Sequence, residues 1–315
     1  MSDAATKTAT AELVFDHVTK LYGPVIGIND VSLRVGPGIV GLLGANGAGK
    51  STIMKLASGR LRATQGRVTI GGHDARGVRA KFLMGYCPDV NSFYEEMTAR
   101  EFVRTMTQLY GYGLLESRRR AERALERTGM SDRAERRLAG CSHGMRQRIK
   151  LAQALAHDPR VLLLDEPLTG IDPGGRREIN ELLRALAADG LAILVSSHLL
   201  AELEQLCDRL VVVAQGRLIA EGTLGELRRL LEDEPLTIRL ESPQARRLAS
   251  LCVELPDTTH IEVHGDALTL RTRNPAQFFA QLGELVTANQ LPVERLETLD
   301  AGAEAVFGYL QRSAS

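Results

Sequence analysis

Residues 44–52 read GANGAGKST, a run almost bare of side chains that closes on a lysine and two hydroxyls. Gly44, Gly47 and Gly49, with Asn46 and Ala48 between them, let backbone N–H groups turn inward around phosphate. Lys50 adds a point charge, and the hydroxyl of Ser51, followed by Thr52, suits Mg²⁺. Further on, VLLLDEP at 161–167 ends an apolar run on two consecutive carboxylates. Asp165 is placed to hold the metal through water, and Glu166 to orient or deprotonate an attacking water. The pair suits hydrolysis. The glycine loop alone does not name an activity, because kinases, GTPases and motor ATPases share it.

A second anion site precedes the carboxylates. In CSHGMRQRIKLAQALAHDP, Ser142 is expected to cap a helix whose apolar positions Met145, Ile149, Ala152 and Ala156 share one face, with Pro159 after its end. The serine, the bare Gly144 and the helix N-terminus together favour an anion. One chain cannot easily use both sites on one nucleotide.

These residues need elements to hold them. IVGLL, Ile39 to Leu43, reads as a strand buried on both faces that runs straight into the glycine loop, with a helix starting near Lys50. VLLLD and LAILVSSH are further buried strands, so a parallel α/β sheet is expected. LVFDHV, VSLRV and GRVTI read as strands between glycine turns. From about Asn91 to Asp158 the spacing turns helical and charge-dense, predicting a helical insert whose arginines solvate helix faces. LVVVAQGRLIAEG predicts a hairpin turning at Gln215 and Gly216. Thr223 and Glu226 form a capping box for a helix ending near Glu234 and Pro235. Beyond it TIRL, HIEVHGDALTLRT with a turn at Gly265 and Asp266, PAQFFAQLGELVTANQ and VERLETL predict a small α/β domain without a catalytic cluster.

Composition sets limits. The 315 residues allow two domains, and 39 basic against 39 acidic side chains give no field to recruit a polyanion, so no nucleic acid is expected. Cys87, Cys141, Cys207 and Cys252 lie far apart, with neither metal-ligand nor disulfide spacing, which fits a reducing cytosol. The first ten residues, MSDAATKTAT, read as a loose polar tail, and no apolar stretch is long enough to span a bilayer.

GANGAGKST, CSHGM about twenty residues before VLLLDEP, then GIDP and SSH resemble, in that order, the nucleotide-binding subunit of an ATP-binding cassette transporter, over roughly Leu13 to Leu231. The resemblance implies a P-loop NTPase parallel sheet with an antiparallel β subdomain and a helical subdomain. That gives an ATPase domain at 11–234, with its helical insert at about 91–158, and a C-terminal accessory α/β domain at 235–315. It implies ATP and Mg²⁺, clamped between the glycine loop of one copy and Ser142 and Gly144 of another, or of a paralogous subunit, which resolves the two-site puzzle. It makes Tyr22 the adenine-stacking aromatic, His198 the switch histidine at the γ-phosphate, and Asp172 the aspartate that couples two ATP sites. Two departures stand out. Cys141, His143 and Met145 replace residues of the usual LSGGQ, and Asp89, in MGYCPD, stands where the family generally has glutamine. An aspartate can still hold a water or approach Mg²⁺, with shorter reach and a different charge.

The resemblance implies a cytoplasmic subunit, peripheral on the membrane, that powers a separately encoded permease. GLLGANGAGKST, GYCPD, SHGMRQR and EAVFGYL are similar to single-cassette exporters. An importer subunit, a soluble cassette ATPase acting on ribosomes, DNA or proteins, and a nucleotide-sensing regulator are the alternatives.

Overall fold

The computed structural model describes residues 12–90, 92–229 and 236–299. Strands β1 (Leu13–Tyr22) and β2 (Val25–Val35) form a hairpin in which Leu13 faces Val35 and Tyr22 faces Val25. β3 (Gly38–Leu43) leaves it for a second sheet and feeds helix α1 (Lys50–Ala57), after which β4 (Gln65–Ile70) and β5 (His73–Asp74) return to the first. The result is an antiparallel sheet of order β2-β1-β4-β5. Alternation along these strands buries one face. Leu13, Phe15 and Val18 join Ile28, Val31, Leu33, Val68 and Ile70 against Ile53, Met54 and Leu56 of α1.

Next come α2 (Val78–Leu83), β6 (Met84–Cys87) and three longer helices, α3 (Ala99–Gln108), α4 (Leu114–Arg127) and α5 (His143–Leu155). The expected helical insert is present. Phe102 and Val103, Ala121 and Leu125, and the face Met145, Ile149, Ala152 and Ala156 share one core. A capping box of Thr98 and Glu101 opens α3. Then β7 (Val161–Asp165), α6 (Pro173–Ala188), β8 (Ala192–Ser197), α7 (Leu200–Glu204), β9 (Arg209–Ala214) and β10 (Arg217–Gly222) complete this unit. The sheet order is β10-β9-β3-β8-β7-β6, and β9, β3, β8, β7 and β6 run parallel. β7 and β8 are buried at every residue, as strands covered on both faces must be. Gln215 (φ 47°) and Gly216 (φ 76°) turn β9 into β10 at the expected place.

The chain divides between Glu221 and Gly222, where β10 ends and the capping box of Thr223 and Glu226 starts α8 (Leu224–Arg229). α8 falls in the second unit, and the expected 234/235 boundary lies outside the described residues. That unit continues as β11 (Leu236–Glu241), α9 (Ala245–Cys252), β12 (Thr258–His264), β13 (Ala267–Thr272), α10 (Pro275–Ala288) and β14 (Arg295–Thr298). Its antiparallel sheet has the order β12-β13-β11-β14, a split βαββαβ arrangement. Ile238, Leu240, Leu268 and Leu270 pack on Leu248, Cys252, Phe278 and Leu282. MSDAATKTAT, the helix end at Glu234 and Pro235, and EAVFGYL lie outside the described residues. Among the described residues no helix is long and apolar enough to cross a membrane.

His157, just past α5, joins the helical layer to the parallel sheet. Its Nε2 lies 2.9 Å from the Met84 carbonyl oxygen, so this nitrogen carries the proton and donates. Its ring stacks on Tyr110 at 4.0 Å, and Tyr110 meets the edge of Phe82 at 5.7 Å. Burial pulls the imidazole down to about 4. The folded value lies below the unfolded 6.5, so the unfolded chain gains the proton first and acid weakens the fold between those values. From this group alone, about 3 kcal/mol is expected to be lost between pH 6.5 and pH 4. Urea titrations across that range check it: His157→Gln, which keeps a donor for Met84, should show a shallower loss than the parent.

Candidate functional site

Parallel register collects the carboxyl ends of four strands. Leu43 pairs with Ser197, Asp165 with Ser196 and Cys87 with Leu164, so the segments leaving β3, β8, β7 and β6 emerge side by side. There a cleft of about 360 Å³ is lined by Asn46, Gly47, Gly49, Lys50, Ser51, Thr52, Asp89, Asp165 and Glu166, with Tyr22 from β1.

The glycine loop is shaped by its neighbours and by its backbone. A Cβ on Gly44 would fall 2.7 Å from the Val213 carbonyl oxygen, and Gly47 and Gly49 hold φ of 83° and 115°. Gly49 is the N-cap of α1, and no side chain caps that helix. Its first N–H groups are therefore free to bind phosphate in the cleft. Lys50 is buried at 7 % exposure; its Nζ donates to the carbonyls of Gly44 (2.5 Å) and Ala45 (3.3 Å) and lies 3.6 Å from Glu166 Oε1. Burial pulls this ammonium below the usual lysine range, and the Glu166 carboxylate opposes the shift.

Consecutive residues of a strand point to opposite faces, yet Asp165 and Glu166 line the same cleft. The backbone resolves this by turning left-handed at Glu166, φ 48°, which for a side chain of this size is strained by about 1–3 kcal/mol. Ser196 holds the turn. Its Oγ donates to Asp165 Oδ1 at 2.7 Å and accepts from the Glu166 N–H at 3.0 Å. Burial pushes the Asp165 carboxyl up, partly offset by the Ser196 bond. Glu166 Oε2 lies 3.0 Å from His198 Nδ1 and 3.4 Å from the hydroxyl of Thr169. The carboxylate thus sits between a lysine and a histidine, where it can order a water.

Ser51, Asp165 and Asp89 supply hard oxygen donors, and Ser196 occupies only one oxygen of Asp165. Among the described residues no three His, Cys, Asp or Glu side chains form a metal cage. That combination fits Mg²⁺, which keeps waters and takes phosphate oxygens as ligands, better than a metal that needs a full protein shell. Tyr22 is 43 % exposed, with Lys20 Nζ 5.3 Å from its ring centre. Gly27 lies against that ring: a Cβ there would come 2.6 Å from it.

Not every expected residue reaches the cleft. Gly44 and Ala48 do not line it, and His198 meets it through Glu166. Ser142 and Gly144 do not line it. Ser142 caps α5 by accepting from the Met145 N–H at 3.3 Å and is exposed, and a Cβ on Gly144 would meet open space. His143, one of the departures from LSGGQ, bonds from Nε2 to the Thr169 carbonyl at 2.8 Å, tying the Ser142 loop to the loop after Glu166. Asp172 is also exposed; it caps α6, accepting from the Gly175 N–H at 3.1 Å, a role the sequence Asp-Pro already signalled. Sequence reasoning passed over Val25, Ile26 and Gly27, which line the cleft beside Tyr22, and Ser196. An exposed Val-Ile pair at a strand's start was the available sign for the first two; for Ser196 only the strand register reveals its place.

Comparison with known proteins agrees with this geometry. The family model described as ABC transporter matches residues 28–169. The daunorubicin/doxorubicin resistance ATP-binding protein of Streptomyces peucetius is 36% identical over 298 residues, covering 92% of this chain and 89% of that protein. The Nod factor export ATP-binding protein I of Rhizobium johnstonii is 37% identical, covering 84% of this chain and 85% of its own. A solved ATP-binding subunit of an ABC transporter superposes with TM-score 0.63 at 32% identity, over 70% of this chain and 92% of that one. An ATP-binding cassette in its ADP conformation superposes with TM-score 0.62 at 26% identity, over 70% and 95%.

Removing the Ser196 hydroxyl leaves both the Asp165 oxygen and the Glu166 N–H without their partner. Ser196→Ala is therefore expected to lower unfolding stability by about 1–3 kcal/mol, measured in urea, and a parental midpoint would show that these bonds are not made.

Proposed function

The chain belongs to the ATP-binding subunits of ABC transporters, and from that membership we propose that it hydrolyses ATP held between two cassettes to drive a separately encoded exporting permease. The observation that carries the reading is the convergence of Lys50, Ser51, Asp165 and Glu166 on one cleft, with Glu166 gripped by His198. The names of the relatives, drug resistance and Nod factor export, favour export.

In this reading the amides of residues 44–52 and the Lys50 ammonium bind the phosphates, and Tyr22 stacks on the base. Phosphate oxygens compete for Lys50, drawing it from the Glu166 oxygen 3.6 Å away and leaving that carboxylate to accept a proton from the attacking water. His198 Nδ1 holds the other oxygen of Glu166 and so fixes the direction of attack. Mg²⁺, held by Ser51, Asp165 and Asp89, would neutralise charge on the phosphates. The Ser142 helix end, exposed and apart from the cleft, serves the nucleotide of a second cassette, either an identical copy or a paralogue. Asp172 lies between the two sites in such a pair.

For the permease, the exposed apolar side chains Val78 and Phe82 of α2 and Leu109 at the end of α3 offer a landing surface, with Phe82 packed on Tyr110. In this reading the protein sits at the cytoplasmic face of a membrane, bound to its partner. With 39 basic and 39 acidic side chains, the chain has no charge excess to favour the soluble, nucleic-acid-directed alternative.

Glu166→Gln is expected to keep ATP binding and to slow turnover roughly a hundredfold or more; steady-state hydrolysis within a few-fold of the parent would place the base elsewhere. Ser142→Arg in the Glu166→Gln background is expected to abolish ATP-driven dimer formation in size-exclusion chromatography, whereas unaltered dimers would remove Ser142 from the interface.

A further inference from the structure

Among the described residues, the mechanism above leaves one buried lysine unused. Lys150, in the middle of α5, is 4 % exposed, and its Nζ donates to two consecutive carbonyls, those of Pro88 (2.8 Å) and Asp89 (3.3 Å). Around it α5 and β6 are packed without slack. A Cβ on Gly85 would fall 2.2 Å from the Ala154 carbonyl oxygen, and Gln147, also buried, reaches Cys87 Sγ at 3.7 Å. Gln147, Lys150 and Ala154 stand three and four residues apart, on one helix face. The segment that carries Asp89 to the cleft is thus held along its length by a single side of α5.

We propose that Lys150 is a positioning residue for hydrolysis: by gripping the Pro88 and Asp89 carbonyls it fixes Asp89 at the metal end of the cleft and offsets the additional negative charge that Asp89 brings there. The proposal rests on the ATPase reading given above. Its logic is electrostatic as well as steric. Asp89, Asp165 and Glu166 bring three carboxylates to one cleft, where Lys50 is already committed to the glycine loop. A buried lysine is costly unless it is well bonded and near negative charge, and Lys150 has both. Burial pulls it below the usual lysine range, and Cys87 first, then Asp89 and Asp165, oppose that shift. A glutamine at position 89 would need no such counter-charge. Ser142 caps the same helix, so any displacement of α5 on engaging a second cassette reaches Asp89 through Lys150 without an intervening loop.

Two readouts on the full-length protein test this, one without nucleotide or metal. Amide hydrogen exchange across residues 84–92 should rise about tenfold in Lys150→Met, as expected when a charged hydrogen bond is lost. In steady-state ATP hydrolysis, the Mg²⁺ concentration for half-maximal rate should rise by about tenfold in the same variant, while Lys150→Arg stays near the parent. In an Asp89→Gln background, Lys150→Met should change the Mg²⁺ requirement clearly less, because the charge offset is then no longer needed and only the grip on the two carbonyls is lost. If Lys150→Met does not fold, Lys150→Gln, an uncharged donor, should show the raised Mg²⁺ requirement instead. Unchanged exchange at 84–92, a parental Mg²⁺ requirement, or an equal effect with Asp89 and with Gln at that position would reduce Lys150 to a packing residue and overturn the proposal. Failure of the parent protein to hydrolyse ATP would overturn the functional reading instead, and is seen before any variant is made.

Discussion

The site depends on a conflict between strand geometry and chemistry that a single hydroxyl settles. On the proposed reading hydrolysis needs two carboxylates with different duties in one cleft, but Glu166 directly follows Asp165, the last residue of β7, and a continued strand would send the two to opposite faces. The left-handed turn at Glu166 brings them together at a cost of about 1–3 kcal/mol, and Ser196, one strand over, bonds both sides of the turn. Ser196 can do so only because β7 and β8 run parallel in a register that sets it opposite Asp165. The hydrophobic burial of both strands fixes that register, so the apolar letters of VLLLD and AILVSS are as much a part of the chemistry as the carboxylates.

The helical layer meets the same sheet at a second set of contacts. α5 carries an exposed, serine-capped end, a core face of Met145, Ile149 and Ala152 continued by Ala156, and a third face that holds the end of β6 through Gln147 and the residues after it through Lys150. His143 at its start reaches the loop after Glu166, and His157 beyond its end reaches Met84. One helix therefore touches both segments that deliver carboxylates to the cleft. On the proposed two-cassette reading, these contacts would link the Ser142 end of α5 to the cleft of the same chain.

Much of this was legible in the sequence where a local rule suffices. The glycine loop, the buried strands, the Gln215-Gly216 turn, the Ser142 cap and the capping box at Thr223 each follow from residues a few positions apart. What escaped reading depended on contacts between distant segments. α2 has a single buried residue, Ala80, so its short run carries no periodicity. Ser196 and Lys150 look like ordinary residues of a strand and a helix until the register and the packing of β6 place them. Asp172 shows that one residue can satisfy two descriptions: its carboxylate caps α6, and its exposed position leaves it open to a partner.

The central claim is that the nucleotide is completed by two copies, the glycine loop of one and the Ser142 end of α5 from another. The most direct measurement is a crystal structure of the Glu166→Gln protein with ATP and Mg²⁺. The account predicts a triphosphate lying along residues 44–52 of one molecule with the Ser142 hydroxyl of its neighbour in contact with the γ-phosphate. A triphosphate enclosed within one molecule, with every Ser142 turned away from it, would contradict the account.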